Sequence, residues 1–148
     1  MKLIMKQIRQ NVENLIEAKA EDNKYEFRII KACLVTALRK WHDYENPIFI
    51  SEKAKEKADE LGVDLWVQRW THQYKFDKGR KIFIMEHKYP INDMILDMMA
   101  DPDNIEHIFN SGEFGWILKT EDALLKSHNR ICHDTAYEEA NIRLIKNE

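Results

Sequence analysis

Apolar residues recur every three or four positions in two stretches near the start of the chain, residues 3–20 and 25–44. Because an α-helix turns every 3.6 residues, this spacing places the apolar side chains on one face and predicts two amphipathic helices. Asn46-Pro47 ends the second, since proline lacks a backbone donor and restricts the residue before it. We expect a helical hairpin that packs against the rest of the domain, with a docking surface for another chain as the alternative. The first stretch carries Ile4, Ile8, Val12, Leu15 and Ile16, and the second Phe27, Ile30, Leu34, Leu38 and Trp41.

The pattern changes after residue 62. Residues 81–87 are rich in β-branched and aromatic side chains, and residues 114–119 are centred on Trp116-Ile117-Leu118, so each predicts a strand. The expected fold class is α+β, a helix-rich single domain with a small antiparallel, hairpin-like sheet formed by these two strands. Residues 1–62 are then its helical part, and residues 63–148 are a mixed part that carries the candidate site.

Capping residues predict where further helices begin. Ser51 is the expected N-cap of a helix that ends near Gly62, and Thr120 is the expected N-cap of another that has acidic residues in its first turn. A last helix is expected near the end of the chain. Its apolar side would consist of Tyr137, Ala140, Leu144 and Ile145.

Composition narrows the class of protein. The 148 residues are 44% hydrophobic and 10% aromatic, with only 4 Gly and 3 Pro, which excludes a disordered chain and a turn-dense all-β protein. Two cysteines exclude a disulfide framework and a two-pair zinc knuckle. The start of the chain lacks the features of a signal peptide, and no stretch of about 18 apolar residues occurs. We expect a cytoplasmic protein with no membrane partner.

Charge is unevenly distributed, although the net charge is only −3. Residues 1–57 carry 12 basic and 9 acidic side chains, residues 58–91 carry 6 and 5, and residues 92–148 carry 5 and 12. A basic footprint over the whole protein is therefore absent. We expect any phosphate-binding face to lie within the first 90 residues.

The candidate chemistry lies at the end of the strand at 81–87, where Glu86 and His87 are neighbours and Pro90 follows. Adjacent strand residues point to opposite faces, so the pair can share one site only if the strand ends there and the chain turns. The alternative interpretation of this pair is a strand-end salt link or an exposed pair. Four basic residues surround it and are candidates for holding phosphates, namely Lys78, Arg80, Lys81 and Lys88.

The order of a strand ending in Glu86-His87, then Pro90, an insertion and a second strand leading into a helix resembles the HNH (His-Me finger) nuclease family. This resemblance implies a metal-dependent endonuclease that hydrolyses DNA phosphodiester bonds. His87 would be the general base, and Mg²⁺ or another divalent cation would stabilise the leaving oxygen. The implied metal ligands are Glu86, Asp122 and His128.

A different class of function is the alternative, a non-catalytic, helix-rich interaction or inhibitor protein that binds a macromolecular partner. Its motivation is the polarised charge, the helical composition and the absence of the His or Asn that the HNH family carries on the helix after its second strand. DNA would be the partner of the nuclease. The interaction protein could instead bind a basic groove of another protein through the acidic residues of 92–148. The aromatic run Trp66, Trp70, Tyr74 and Phe76 fits core packing, with base stacking as the alternative.

Overall fold

The computed structural model describes residues 2–127 and 135–147, which form two compact units. The helical unit comprises Met1–Trp41 and Tyr89–Gly112, and the sheet unit comprises His42–Lys88 and Glu113–Glu148. The predicted fold class, helix-rich α+β, is confirmed. The division of the chain differs from the expected one at residue 62, because the insertion between the two predicted strands packs with the first two helices.

The helical unit has a core built from the amphipathic stripes seen in the sequence. Ile8, Val12 and Leu15 of the first helix are buried together with Leu34 and Leu38 of the second. Both predicted helices are confirmed, and two helices of the insertion complete the core with Met94, Met98 and Phe109. The four helices are α1 (Lys2–Ala20), α2 (Lys24–Asp43, whose last two residues belong to the sheet unit), α4 (Ile91–Ala100) and α5 (Ile105–Asn110).

The sheet unit contains a four-stranded mixed sheet in the order β2-β3-β1-β4. The predicted pair of strands is present as the antiparallel ladder β2–β3, in which Phe83 lies opposite Leu118. β1 pairs parallel with β3 and antiparallel with β4, so the sheet is larger than expected. The strands are β1 (Phe49–Ser51), β2 (Phe83–His87), β3 (Phe114–Leu118) and β4 (Leu144–Lys146).

The prediction of a last helix that carries Tyr137, Ala140, Leu144 and Ile145 is wrong. The helix at this point, α7 (Ala136–Glu139), has a single turn. It ends because Asn141 adopts a left-handed backbone conformation (φ 54°), and the Ile142 N–H then bonds back to the Tyr137 carbonyl at 2.7 Å. Residues 144–146 form β4, in which Ile145 lies opposite Ile50.

Two helices adjoin the sheet through their first turns. α3 (Glu52–Glu60) has the predicted N-cap, since the Ser51 Oγ accepts a hydrogen bond from the Ala54 N–H at 3.1 Å. α6 (Lys119–Ser127) follows β3 directly, so Thr120 lies within the helix and is not its N-cap. The cap function falls to Glu121, whose carboxylate accepts the Leu118 N–H at 2.9 Å.

Side chains on the two faces of the sheet enter separate cores. Phe83, Met85 and Trp116 pack with α3 and with two short 3₁₀ segments, Leu65–Val67 and Trp70–Lys75. The alternate residues Ile84 and Ile117 pack on the other face, against α6 and α7. This alternation follows from the period of two along a strand, and it decides where each candidate residue of β2 points.

Candidate nucleic-acid interface

Three of the four basic residues that the sequence singled out lie together on the loop before β2. We call residues 77–81 the basic turn, and it carries Lys78, Arg80 and Lys81. Gly79 (φ 77°) and Arg80 (φ 51°) are both left-handed, which makes the chain reverse sharply. Lys78 and Lys81 are exposed, and Arg80 is half-buried. The turn therefore presents closely spaced cations to solvent.

Asp77 holds the basic turn in shape. Its carboxylate accepts hydrogen bonds from the backbone N–H groups of Lys81 at 2.9 Å, of Ile82 at 3.0 and 3.2 Å, and of Phe83 at 3.0 Å. The side chain of the buried Gln73 donates both to Asp77 at 2.9 Å and to the Phe83 carbonyl at 2.7 Å. The start of β2 and the 3₁₀ segment before the turn are thus tied to one carboxylate.

The charge of Asp77 is favoured by these donors. Burial raises the pKa of the Asp77 carboxyl, but the hydrogen bonds from Phe83, Gln73, Ile82 and Lys81 outweigh burial, and the pKa lies below its ordinary value. Asp77 is thus ionised at neutral pH, and its carboxylate accepts hydrogen bonds from the backbone. Among the residues described, it forms no ion pair with the neighbouring lysines.

Aromatic side chains support the turn from one side. The Arg80 guanidinium lies 3.8 Å from the ring centroid of Trp70, a cation–π contact. Trp66, Trp70 and Phe76 pack against the core beneath, and this confirms core packing as their main role. Tyr74 differs from them, because 62% of its surface is exposed, and Lys75 lies beside it with its Nζ 5.9 Å from the ring centroid.

Cations without a carboxylate partner are concentrated around this turn. Within the described part of the sheet unit, six of the basic residues lie within 4.0 Å of a carboxylate oxygen, and all six are outside residues 69–81. Seven described lysines and arginines of the unit have no such neighbour. Five of these are within residues 69–81, namely Arg69, Lys75, Lys78, Arg80 and Lys81, and the others are Lys53 and Lys119.

Sequence reasoning missed several parts of this surface. Arg69 precedes and Lys75 ends a 3₁₀ segment whose period matches neither the helix nor the strand template, whereas Tyr74 of the same segment belongs to the aromatic run for which base stacking was the alternative. Lys119 is exposed and lies next to the turn, because its backbone N–H bonds to the Ile82 carbonyl at 2.9 Å. The predicted pairing of the two strands was the signal that could have placed Lys119 there.

Glu86 and His87 do not converge. β2 remains regular through both residues, with Glu86 opposite Gly115 and His87 opposite Phe114. Their side chains therefore leave opposite faces of the sheet, and the turn that would have aimed both at one site begins only after His87. Glu86 is 92% buried and His87 is half-buried.

His87 lies in an aromatic and imidazole cluster. Its ring centroid is 5.0 Å from that of His42, and His42 stacks on Phe114 at 4.4 Å. Burial lowers the pKa of His42 to about 4, against an opposing effect of the Asp43 charge. The buried imidazole of His42 is therefore neutral at pH 7.

Of the two remaining expected metal ligands, the structure describes Asp122. Asp122 of α6 is buried and forms an ion pair with Lys126 at 2.6 Å, while His128 lies outside the described residues. Glu121 is buried and accepts the Ser51 hydroxyl at 2.6 Å. Among residues 2–127 and 135–147, no three His, Cys, Asp or Glu side chains form a group that could hold a metal ion.

Lys88 is separated from the other expected phosphate ligands. It follows β2, whereas the basic turn precedes β2, so the length of the strand lies between them. The Lys88 Nζ is 3.5 Å from the Glu113 carboxylate, which also pairs with Lys146. Burial raises the pKa of Glu113, but the two lysines outweigh burial and the pKa lies below its ordinary value. Lys88 is therefore part of a structural ion-pair cluster.

Comparison of the chain with protein-family models, with curated proteins and with solved structures found no significant match. The resemblance to HNH nucleases therefore stays a prediction. No described helix is both long enough and apolar enough to cross a membrane.

Proposed function

We propose that this protein binds single-stranded nucleic acid through the basic turn and its surroundings, without cleaving the strand. The observation that carries the proposal is the concentration of cations without carboxylate partners in residues 69–81 of the described sheet unit. Cations left without an internal counter-charge are available to replace the counterions that surround phosphates. This proposal is a specific form of the interaction protein considered above.

Preorganisation supports the proposal. The hydrogen bonds of Asp77 fix the backbone of the turn, and the contact with Trp70 fixes the guanidinium of Arg80. Less conformational entropy is then lost when a phosphate binds. An arginine held in this way can donate two parallel hydrogen bonds to one phosphate.

The exposed ring of Tyr74 favours a single strand over a duplex. Bases of a single strand are free to stack on an aromatic side chain, and such stacking tolerates any sequence. Along the chain, Tyr74 lies between Arg69 on one side and Lys75 and the basic turn on the other. An alternation of aromatic and basic groups is the surface that single-strand-binding proteins use.

The geometry of Glu86 and His87 supports binding without hydrolysis. An HNH-type reaction requires an imidazole and a metal-bound carboxylate at one phosphate, whereas these side chains leave opposite faces of β2. Nuclease activity stays a prediction from the sequence, and so does the cytoplasmic location. Incubation with supercoiled plasmid and Mg²⁺ tests the nuclease, and nicking that is lost in His87→Ala would favour it over the present proposal.

Fluorescence anisotropy of a labelled oligothymidylate tests the proposed binding. We expect saturable binding by the parent protein and roughly tenfold weaker binding by the double variant Lys78→Glu/Lys81→Glu, because two phosphate-facing cations become repulsive. The matched control is Lys53→Glu/Lys57→Glu on α3, which changes the net charge equally. Equal weakening in both variants, or no binding by the parent, would contradict the proposal.

A further inference from the structure

The turn between α1 and α2 forms a cavity in the helical unit that is open to solvent and that the proposed function does not use. Its volume is about 400 Å³, and it extends from Ala18 at the end of α1 to Lys31 on the second turn of α2. Cavities of this size are in the range that holds small ligands. The turn itself is defined by Asp22, which is left-handed (φ 53°), and by the Asn23 N–H, which bonds to the Ala18 carbonyl at 2.9 Å.

Four cationic side chains line this cavity. Lys24, Arg28 and Lys31 follow one another at positions i, i+4 and i+7 of α2, so they share one face of that helix, and Lys19 comes from α1. Like charges at this spacing on one helix repel one another and lower its stability. A bound anion would remove that repulsion.

Acidic residues neutralise little of this charge. Asp22 lines the cavity, but its carboxylate is 3.9 Å from the Lys24 Nζ and both side chains are at least 80% exposed, so the pair is weak. The Glu26 carboxylate accepts a hydrogen bond from the Asn23 amide at 2.8 Å. In the part of the chain that the structure describes, no carboxylate lies within 4.0 Å of the cationic nitrogens of Lys19, Arg28 or Lys31.

The floor of the cavity is apolar. Phe27 is half-buried and packs against the core of the helical unit, and Ala18 is buried beside it. Lys31 is also half-buried, and a lysine can cover apolar surface with its aliphatic stem while its ammonium group stays in solvent. The lining thus combines an apolar contact with several positive charges.

A second cavity, of about 440 Å³, shows what distinguishes this one. It lies in the sheet unit between α3 and the 3₁₀ segment at residues 65–67, and its lining includes Lys55, Asp59 and Asp64. Lys55 is neutralised there by Asp59 at 2.6 Å. The charges of that lining are mixed, so they favour neither anionic nor cationic ligands. The lining of the α1–α2 cavity, in contrast, is predominantly cationic.

We propose that the α1–α2 cavity binds a small organic polyphosphate. The phosphate chain contacts Lys19, Lys24, Arg28 and Lys31, and an aromatic or apolar portion of the ligand lies on Phe27. Several cations within one small lining match a ligand that carries three or four negative charges. This site is independent of the basic turn, which lies in the other unit.

Fluorescence titration with N-methylanthraniloyl-ATP tests this proposal. We expect saturable binding by the parent protein and affinity at least about tenfold weaker in Arg28→Glu/Lys31→Glu, because charge-assisted contacts are replaced by repulsion. The matched control Lys6→Glu/Arg39→Glu changes two exposed cations of α1 and α2 outside the lining and should retain the parent affinity. Thermal melting checks that all variants remain folded.

Competition experiments test the phosphate contacts and the apolar contact of the proposed ligand separately. Unlabelled ATP should displace the probe, adenosine should not, and inorganic tripolyphosphate should need a concentration roughly tenfold higher than ATP because it lacks the apolar contact. No saturable binding, or equal loss of affinity in both double variants, would overturn the site. Displacement by adenosine as effective as that by ATP would overturn phosphate recognition, and equal potency of tripolyphosphate and ATP would overturn the contact with Phe27.

Discussion

At the scale of single residues, two buried acidic side chains of the sheet unit accept hydrogen bonds from backbone N–H groups. Asp77 binds three successive N–H groups at the start of β2, and Glu121 binds the Leu118 N–H and the Ser51 hydroxyl. Buried carboxylates need such donors, because burial without them would leave an uncompensated charge. Both residues therefore position the chain, and the cations of the basic turn remain available to a ligand.

His42 provides a prediction about pH. Burial holds its pKa at about 4 in the folded protein, compared with an ordinary value of 6.5, while Asp43 opposes the shift. Between these values the unfolded chain binds the proton and the folded protein does not. The free energy of unfolding should therefore fall by about 3 kcal/mol as the pH is lowered through this window.

Urea unfolding of His42→Phe measures this contribution. The phenyl ring preserves the stacking on Phe114 but does not titrate, so stability should depend much less on pH between about 6.5 and 4. His107→Gln is the control, because His107 is exposed on α5. A pH dependence of His42→Phe equal to that of the parent would contradict the assignment to His42.

Sequence patterns located the candidate residues better than they assigned their roles. Lys78, Arg80 and Lys81 could be grouped because they are neighbours in a turn. Glu86 and His87 could converge only if β2 ended before them. Pairing with Phe114 continues the strand through His87, so the two side chains do not converge. Strand ends are set by pairing with distant residues, which a local pattern does not contain.

At the scale of elements, the sheet depends on a close approach between β1 and β3 at Gly115. A Cβ atom at Gly115 would overlap the carbonyl oxygen of Phe49 on the neighbouring strand. Gly115→Ala should therefore lower the free energy of unfolding by at least about 3 kcal/mol, because backbone atoms of paired strands must separate.

Gly62→Ala is the matched control for this substitution. Gly62 is left-handed (φ 67°), but no atom would lie within 4 Å of its added Cβ, so we expect a loss of only about 1 kcal/mol from backbone strain. Urea unfolding of both variants provides the comparison. Equal losses would show that the contact between Gly115 and Phe49 does not limit the packing of the strands.

The elements that the sequence predicted correctly are those with a clear local signal. α1 and α2 repeat their apolar period several times, β2 and β3 are rich in β-branched and aromatic residues, and α3 begins at a capping serine. β4 has only three residues, and Leu144 and Ile145 fit the face of a helix as well as a strand. Pairing of Ile145 with Ile50 decides the outcome, and this contact spans most of the chain.

At the scale of the whole molecule, local charge is more informative than net charge. The chain has a net charge of −3, yet both proposed anion-binding surfaces, apart from Lys119, lie within the first 90 residues, where charge counts placed any phosphate-binding face. Half of the ion pairs that neutralise cations elsewhere in the described sheet unit join residues three or four apart on one helix, but the other half join residues that are distant in the sequence and cannot be read from it. Arg143 and Glu52 are one such pair, at 3.2 Å.

The salt dependence of oligothymidylate binding tests the central claim most directly. Each phosphate contacted on a single strand contributes about 0.7 to the slope of log affinity against log salt concentration. If Lys78 and Lys81 each contact one phosphate, Lys78→Glu/Lys81→Glu should have a slope shallower than that of the parent by about 1.4. An unchanged slope would contradict nucleic-acid binding by the basic turn.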